Sequence, residues 1–405
     1  MILHMFFTRT LFETLERASR TFPAVLVTGP RQVGKTTLLE QAAESGRTRV
    51  TLDDPIIREL ACRDPALFFQ RFQPPLLIDE VQYAPQLFPH IKMTVDRERQ
   101  NGLFWMTGSQ QFHLMRGVTE SLAGRVAILQ LQGLSQAEKC DTPQRPPFMP
   151  GNTPATSRSL SLRDVYRLIQ LGSFPALHAN PEVDAQTFYA SYVRTYLARD
   201  VSDVLRVSDT MRFLRFMKIA AARTGQLLNC ADMARDAEVS PNTLKSWLSV
   251  LEASGIIHLL PPWHANLATR LVKMPKLYFL DTGLCCHLTG WNNPEVLESG
   301  AMGGAFLETY VVSEILKSHW HHGRAVSLCF YRDKEKREID LLLESNGLLH
   351  PIEIKKTASP APSDVRVFDY LRTRGHPMGP GALICFSPHH FPLSRGVDCV
   401  PVGGL

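Results

Sequence analysis

Two glycines with four residues between them, followed directly by a lysine and a threonine, form a spacing with a chemical use. Gly29, Gly34, Lys35 and Thr36 fill the pattern G-x-x-x-x-G-K-[ST] without a mismatch. Such a loop can turn its backbone N–H groups inward at the start of a helix, where the helix dipole favours anions. The stretch Gly29, Pro30, Arg31, Gln32, Val33, Gly34, Lys35, Thr36, Thr37 is therefore the expected cradle for a nucleoside triphosphate. Lys35 would reach the β- and γ-phosphates, and the Thr36 hydroxyl would ligate magnesium.

Two further constellations contain carboxylates. The apolar run Pro75 to Ile78 ends abruptly in Asp79 and Glu80. Beside a phosphate loop, Asp79 would hold Mg2+ through water and Glu80 would orient and deprotonate the attacking water. Far downstream, Asp340 opens one apolar run, and Glu353 and Lys355 lie on the next, separated by one residue. Strand periodicity points both to one face. This is the skeleton of the PD-(D/E)xK nucleases, in which two carboxylates chelate a hard divalent ion and a lysine activates water. Asp340 and Glu353 fit the metal roles, Lys355 the catalytic one, and Glu308 the helical acid that completes such a site. Arg332, Lys334, Lys336, Arg337 and Lys356 flank it, as a phosphate backbone requires. A retained nuclease fold with a purely binding surface satisfies the same pattern.

The elements that must position these groups are legible as periodicities. Ala24 to Thr28 is a buried strand before the loop, and Thr37 to Ala43 a helix after it. Thr10 to Arg20 is amphipathic. Thr48 to Leu52 alternates as a strand and ends in Asp53 and Asp54, where a helix cap and a ligand-facing turn are both open. Phe104 to Gln110 repeats the strand-then-polar-turn grammar and would bring Ser109 or Gln110 near the γ-phosphate. Arg125 can stabilise transition-state charge in cis or on a neighbouring subunit; a solvated helix-end arginine reads equally well.

Gly29–Thr36, Leu52–Pro55, Leu76–Glu80, Thr107–Gln110 and Leu122–Arg125 resemble the AAA-type ATPase domain of a prokaryotic family. In that family the ATPase is fused to a C-terminal domain of unknown function with a restriction-endonuclease-like end. The resemblance implies an ATP-binding, Mg2+-dependent ATPase with the magnesium and sensor roles given above.

The remaining chain divides by composition. Residues 1–140 hold the P-loop ATPase domain, and 141–160, dense in Pro, Thr and Ser, form an exposed linker. Residues 161–210 are a helical connector, in which Arg199 and Asp200 read as surface charges. In 211–275, Asn229 and Ser240 are expected N-caps with Pro241 at a first helical position, giving a winged helix-turn-helix. Its second helix presents Asn242, Thr243, Lys245 and Ser246 to DNA or to protein. Residues 276–405 form the restriction-endonuclease-like α/β domain. His319, His321 and His322 end a helix, where the dipole favours imidazolium.

At 405 residues, 44% hydrophobic and with a net charge of +5, the composition suits a multi-domain α/β protein with an anionic partner. Eight cysteines without metal spacing read as reduced thiols, and no apolar run reaches membrane-spanning length. The expected location is the cytoplasm. DNA and either a second copy or another protein are the expected partners, with no membrane contact. Two functions fit: an ATPase coupled to a nuclease-like, DNA-interacting domain, or an ATP-dependent switch whose C-terminal half binds without cleaving.

Overall fold

Strand β1 (Ala24–Thr28) is buried along its whole length, as a continuous run of apolar and β-branched residues requires. It is covered on one side by the helix Leu11–Thr21, whose buried face is Leu11, Thr14, Leu15 and Ala18. The computed structural model describes residues 6–108, 121–152, 160–196, 210–264 and 274–405. β1 joins β2 (Thr48–Thr51), β3 (Leu76–Asp79), β4 (Phe104–Gly108) and β5 (Val126–Gln130) in a parallel sheet of order β2-β3-β4-β1-β5. Chain order reverses around β1, and the crevice beyond the carboxyl ends of such strands is where ligands collect. The phosphate loop leaves β1 at that edge and enters the helix Lys35–Ala42.

The middle of the chain is helical. Leu162–Leu171 starts with a reciprocal cap between Ser161 and Asp164. The helices Cys230–Asp236 and Pro241–Ala253 carry the expected caps: the Asn229 side chain accepts from the N–H groups of Ala231 and Asp232, and Ser240 accepts from that of Thr243. β6 (Gln226–Leu227), β7 (Ile257–Leu260) and β8 (Lys276–Phe279) pair antiparallel in the order β6-β8-β7. β8 therefore completes the sheet of the preceding helices, and the expected boundary at 275/276 cuts through that sheet. Directly after β8 the helix Thr282–Thr289 begins, capped by Asp281.

The C-terminal sheet runs β13-β14-β12-β11-β10-β9, built from β9 (Ser327–Arg332), β10 (Glu338–Ser345), β11 (Leu348–Ile354), β12 (Gly381–Cys385), β13 (Phe391–Ser394) and β14 (Val397–Pro401). The helix Gly303–Trp320 is apolar nearly all round and is buried on most of its faces, among them Phe306, Tyr310 and Ile315. It is the axle between the two halves of the molecule.

One expectation for the linker is corrected. Six of residues 141–152 are exposed, but Pro143, Phe148 and Pro150 are buried; the Phe148 N–H donates to Ser318 Oγ at 3.1 Å, and its carbonyl meets His319 Nε2 at 3.0 Å. Arg145 donates to the Leu405 carbonyl at 2.8 Å. Proline-rich composition signalled an irregular backbone, but Phe148 supplied apolar area worth burying. Residues 153–159 lie outside the described residues.

Candidate functional site

The phosphate loop has its shape from three positive backbone dihedrals: Gly29 at φ 146°, Gln32 at 61° and Gly34 at 90°. A Cβ on Gly29 would stand 1.9 Å from the Leu131 carbonyl oxygen, so only glycine fits there. Lys35 begins the following helix and is 5% exposed. Its ammonium donates to the Gly29 and Pro30 carbonyls at 3.0 and 2.7 Å, within the loop it is expected to serve.

Sheet register brings the acids to this loop. Thr51 is the register partner of Asp79, and Thr107 lies one strand over at the end of β4. Three hydroxyls converge on the Asp79 carboxylate: Thr36 at 2.7 Å and Thr107 at 2.6 Å on Oδ1, and Thr51 at 3.3 Å on Oδ2. The Thr107 oxygen also accepts the Glu80 N–H at 2.9 Å. Glu80 is held at φ 57°, a conformation that non-glycine residues seldom adopt, and the Gln82 amide donates to its Oε2. The Thr36–Asp79 pair, the glycine cradle and the helix N-terminus fit a Mg-nucleotide. Thr51 and Thr107 were missed from sequence, although each is a hydroxyl residue at the carboxyl end of a predicted strand.

Of the remaining expected nucleotide ligands, only Arg125 lies among the described residues. Ser109 and Gln110 lie outside the described residues, as do Arg199 and Asp200. Arg125 precedes β5, and its carbonyl accepts the Ala24 N–H at 3.2 Å at the amino-terminal edge of the sheet. A strand as long as β1 separates it from the phosphate loop, roughly 16 Å at about 3.3 Å per residue. The cis reading of Arg125 is corrected by this placement. Its guanidinium instead grips Asp96 at 2.6 and 3.1 Å. Asp54 caps the helix Pro55–Arg63, as one of its two expected readings has it.

The C-terminal carboxylates do converge. Asp340 on β10 accepts the Ile354 N–H of β11 at 2.8 Å, and Lys355 pairs with Glu353 at 2.6 Å. Burial, then the neighbouring Glu353 and Glu308, push the Asp340 carboxyl well above its ordinary range; burial also raises Glu353, against the pull of Lys355. The structure adds a group that the sequence did not signal. The Lys276 ammonium on β8, 5% exposed, lies 2.9 Å from Glu308 and 2.6 Å from Glu338. Burial alone would lower its pKa, but Glu308, Glu338 and Asp340 together raise it. Tyr278 also donates to Glu308. Among the described residues no three His, Cys, Asp or Glu side chains are grouped to hold a metal ion. The expected divalent set of Glu308, Asp340 and Glu353 is not among such groups, and the cation that Glu308 meets here is a lysine ammonium.

The histidines at the end of the long helix differ from expectation as well. His321 is fully buried, and burial, only partly offset by Glu138, lowers its pKa, as burial also lowers that of His319. Burial thus disfavours imidazolium at both rings, against the pull of the helix dipole. All eight cysteines are free thiols, as expected. No helix among the described residues is long and apolar enough to cross a membrane.

The AAA domain family model matches residues 21–140. Two models of domains of unknown function follow, DUF8612 over 162–295 and DUF4143 over 303–405. The boundary near 300 leaves β8 with the helices before it, as its pairing does. The AAA match supports ATP binding and hydrolysis. Among solved structures, the chain is similar to the Walker-type ATPase PABY2304 of Pyrococcus abyssi at 14% identity and TM-score 0.45, over 70% of this chain and 96% of that one. It is 31% identical over 393 residues to the uncharacterized proteins Rv2008c of Mycobacterium tuberculosis and Mb2031c of Mycobacterium bovis, covering 96% of this chain and 82% of each of theirs. With that identity over nearly its whole length, the chain belongs to the family of these mycobacterial proteins, and its residues 21–140 are an AAA-type ATPase domain.

Proposed function

We propose that this protein hydrolyses ATP at Lys35, Thr36, Asp79 and Glu80 and couples its nucleotide state to a C-terminal nuclease-like, DNA-interacting domain. The observation that carries the reading is the 2.7 Å pair between the Thr36 hydroxyl and Asp79, at the open ends of β1 and β3. Bound magnesium would neutralise charge on the phosphates. The chain's own residues do the rest: the loop amides orient the phosphates, Lys35 supplies a point charge, and Glu80 takes a proton from water. A cavity of about 170 Å³ beside the loop, lined by Phe6, Phe7, Leu38, Gln41 and Pro175, offers an apolar slot for the base. Arg125 can serve a nucleotide only on a neighbouring copy.

Lys35→Ala should weaken ATP binding about 100-fold, since a charged hydrogen bond contributes roughly 1.5–3 kcal/mol. Glu80→Gln should keep ATP bound and slow turnover about 10²- to 10⁴-fold, the usual contribution of a general base. Calorimetric affinity and phosphate release test both. Unimpaired turnover in the Glu80 variant removes that residue as the base.

A second reading, a switch whose C-terminal half binds without cutting, is favoured by the Lys276 ammonium within the carboxylate cluster. Plasmid and linear DNA incubated with the protein, magnesium or manganese, with and without ATP, separate the two. Cleavage lost in both Asp340→Asn and Lys355→Ala supports the nuclease; DNA retention without cleavage supports the switch.

A further inference from the structure

The phosphate loop is held from behind by a side chain that none of the motifs contains. Arg9 lies before the first helix and is 7% exposed. Its Nη1 donates to the Val33 carbonyl at 2.7 Å, its Nη2 to the Gln132 carbonyl at 2.7 Å, and its Nε to Glu138 Oε1 at 3.0 Å. Val33 immediately precedes Gly34, the second glycine of the loop. In a planar trans peptide the carbonyl and the next N–H point in opposite directions. A guanidinium gripping the Val33 oxygen therefore turns the Gly34 N–H the other way, away from Arg9.

The anchor of Arg9 belongs to two halves of the molecule. Glu138 is buried with no side-chain exposure. It accepts the Thr10 N–H at 2.9 Å and the Ser135 N–H at 2.8 Å, and His321 Nδ1 lies 3.3 Å from its Oε1. His321 follows the last turn of the helix Gly303–Trp320 and accepts the Gln132 N–H on Nε2 at 3.1 Å, so its ring proton resides on the nitrogen facing Glu138. A second fastening runs beside the first. Glu314 accepts the Gln136 N–H at 2.6 Å, and Lys317 donates to the Leu134 carbonyl at 3.2 Å. The other end of the same helix carries Glu308 into the carboxylate cluster.

We infer that Arg9 is a positioning residue of the nucleotide site, and that Glu138 and His321 make its hold on the phosphate loop depend on the docking of the C-terminal helix. The inference rests on the ATP reading above. It assigns the link between the two halves to three side chains, Arg9, Glu138 and His321. Val33, Gln132 and Glu138, the three partners of the guanidinium, are all buried, so the geometry at Gly34 is fixed before any ligand arrives, which is how preorganised anion sites gain affinity.

The experiment measures Mg-ATP affinity by calorimetry, steady-state kcat and KM, and thermal midpoints without nucleotide. It uses full-length wild type, Arg9→Lys, Arg9→Met, Glu138→Gln, His321→Gln and, as reference, Lys35→Ala. Arg9→Met should weaken ATP binding at least tenfold in folded protein, raising KM far more than it lowers kcat, because Glu80 and Asp79 are untouched. Arg9→Lys should fall between, since one ammonium cannot reach both carbonyls and Glu138. His321→Gln should weaken binding severalfold, and its effect should vanish in the Arg9→Met background. A merely structural role would lower the midpoint and leave the affinity of the folded fraction unchanged. Wild-type ATP affinity in Arg9→Met overturns the inference while leaving the ATP reading intact. Wild type that binds no ATP overturns both. A His321 effect that persists in the Arg9→Met background overturns the cross-domain part. Should Arg9→Met fail to fold, Arg9→Lys and His321→Gln carry the same comparison.

Discussion

The two acidic sites of this chain solve opposite problems. At the phosphate loop, the partners of Asp79 are three neutral hydroxyls from Thr36, Thr51 and Thr107, which orient the carboxylate without neutralising it. In the C-terminal cluster, Glu308, Glu338 and Glu353 each meet an ammonium within 3 Å, from Lys276 or Lys355. On the proposed ATP reading, the first arrangement leaves negative charge for an ion that comes with the nucleotide. The second carries its own counter-charge in a buried place where an unpaired charge is costly. Acids at strand ends thus meet different partners in the two halves of the chain. What distinguishes the two is whether the chain itself delivers the cation.

The comparison breaks most directly at Lys276. Lys276→Met would leave buried carboxylates without their ammonium, and breaking a buried pair costs about 3–5 kcal/mol. Chemical denaturation should register that loss, together with new divalent-ion binding by calorimetry if the carboxylates then take a metal. A variant as stable as wild type would show that Lys276 does not neutralise the cluster.

A smaller effect is expected at Asp340. Its pKa is raised in the folded state, by burial first and by Glu353 and Glu308 next. A carboxyl with a raised folded-state value binds its proton more tightly folded than unfolded, so it costs stability as pH rises above the unfolded value near 3.8. Asp340→Asn should therefore raise the thermal midpoint at neutral pH by a few degrees, since 1 kcal/mol moves a domain of this size by about 2–4 °C. The gain should shrink as pH falls toward 4. Midpoints across pH 4 to 8 test this, and a variant less stable at pH 7 would mean that Asp340 is charged and well paired. Glu138 has the opposite sign. Burial raises it, but Arg9 and His321 hold it well below the ordinary range, so its contribution is present at neutral pH and is lost on acidification.

The smallest change is expected at the exposed pair of Arg125 and Asp96. Asp96→Asn should leave the thermal midpoint unchanged, because exposed ion pairs contribute little. If Arg125 acts on a neighbouring copy, the same variant should alter the dependence of ATPase rate on protein concentration. An unaltered dependence would assign Arg125 to the surface alone.

Much of the phosphate site was legible in the order of residues, because its parts are local. Gly29 to Thr36 is one continuous loop, Asp79 and Glu80 end one strand, and Asn229, Ser240 and Pro241 cap helices within three residues of the groups they serve. Strand periodicity likewise turned Glu353 and Lys355 to one face. The linker was misread at Phe148 because composition reports backbone irregularity, whereas packing is decided by single apolar side chains. Thr51 and Thr107 reach Asp79 only through the register of a parallel sheet, across 28 residues in each direction. Arg9 reaches Val33 across 24 residues, Glu138 meets Arg9 across 129, and the Gln132 N–H finds His321 across 189. Lys276 enters the carboxylate cluster from a strand that belongs to the preceding sheet. Hydrogen-bond register and helix docking choose such partners by where backbones pass close to one another. No period or spacing in the chain records that choice, so the motifs were determined by the sequence alone and their counter-charges by the tertiary structure.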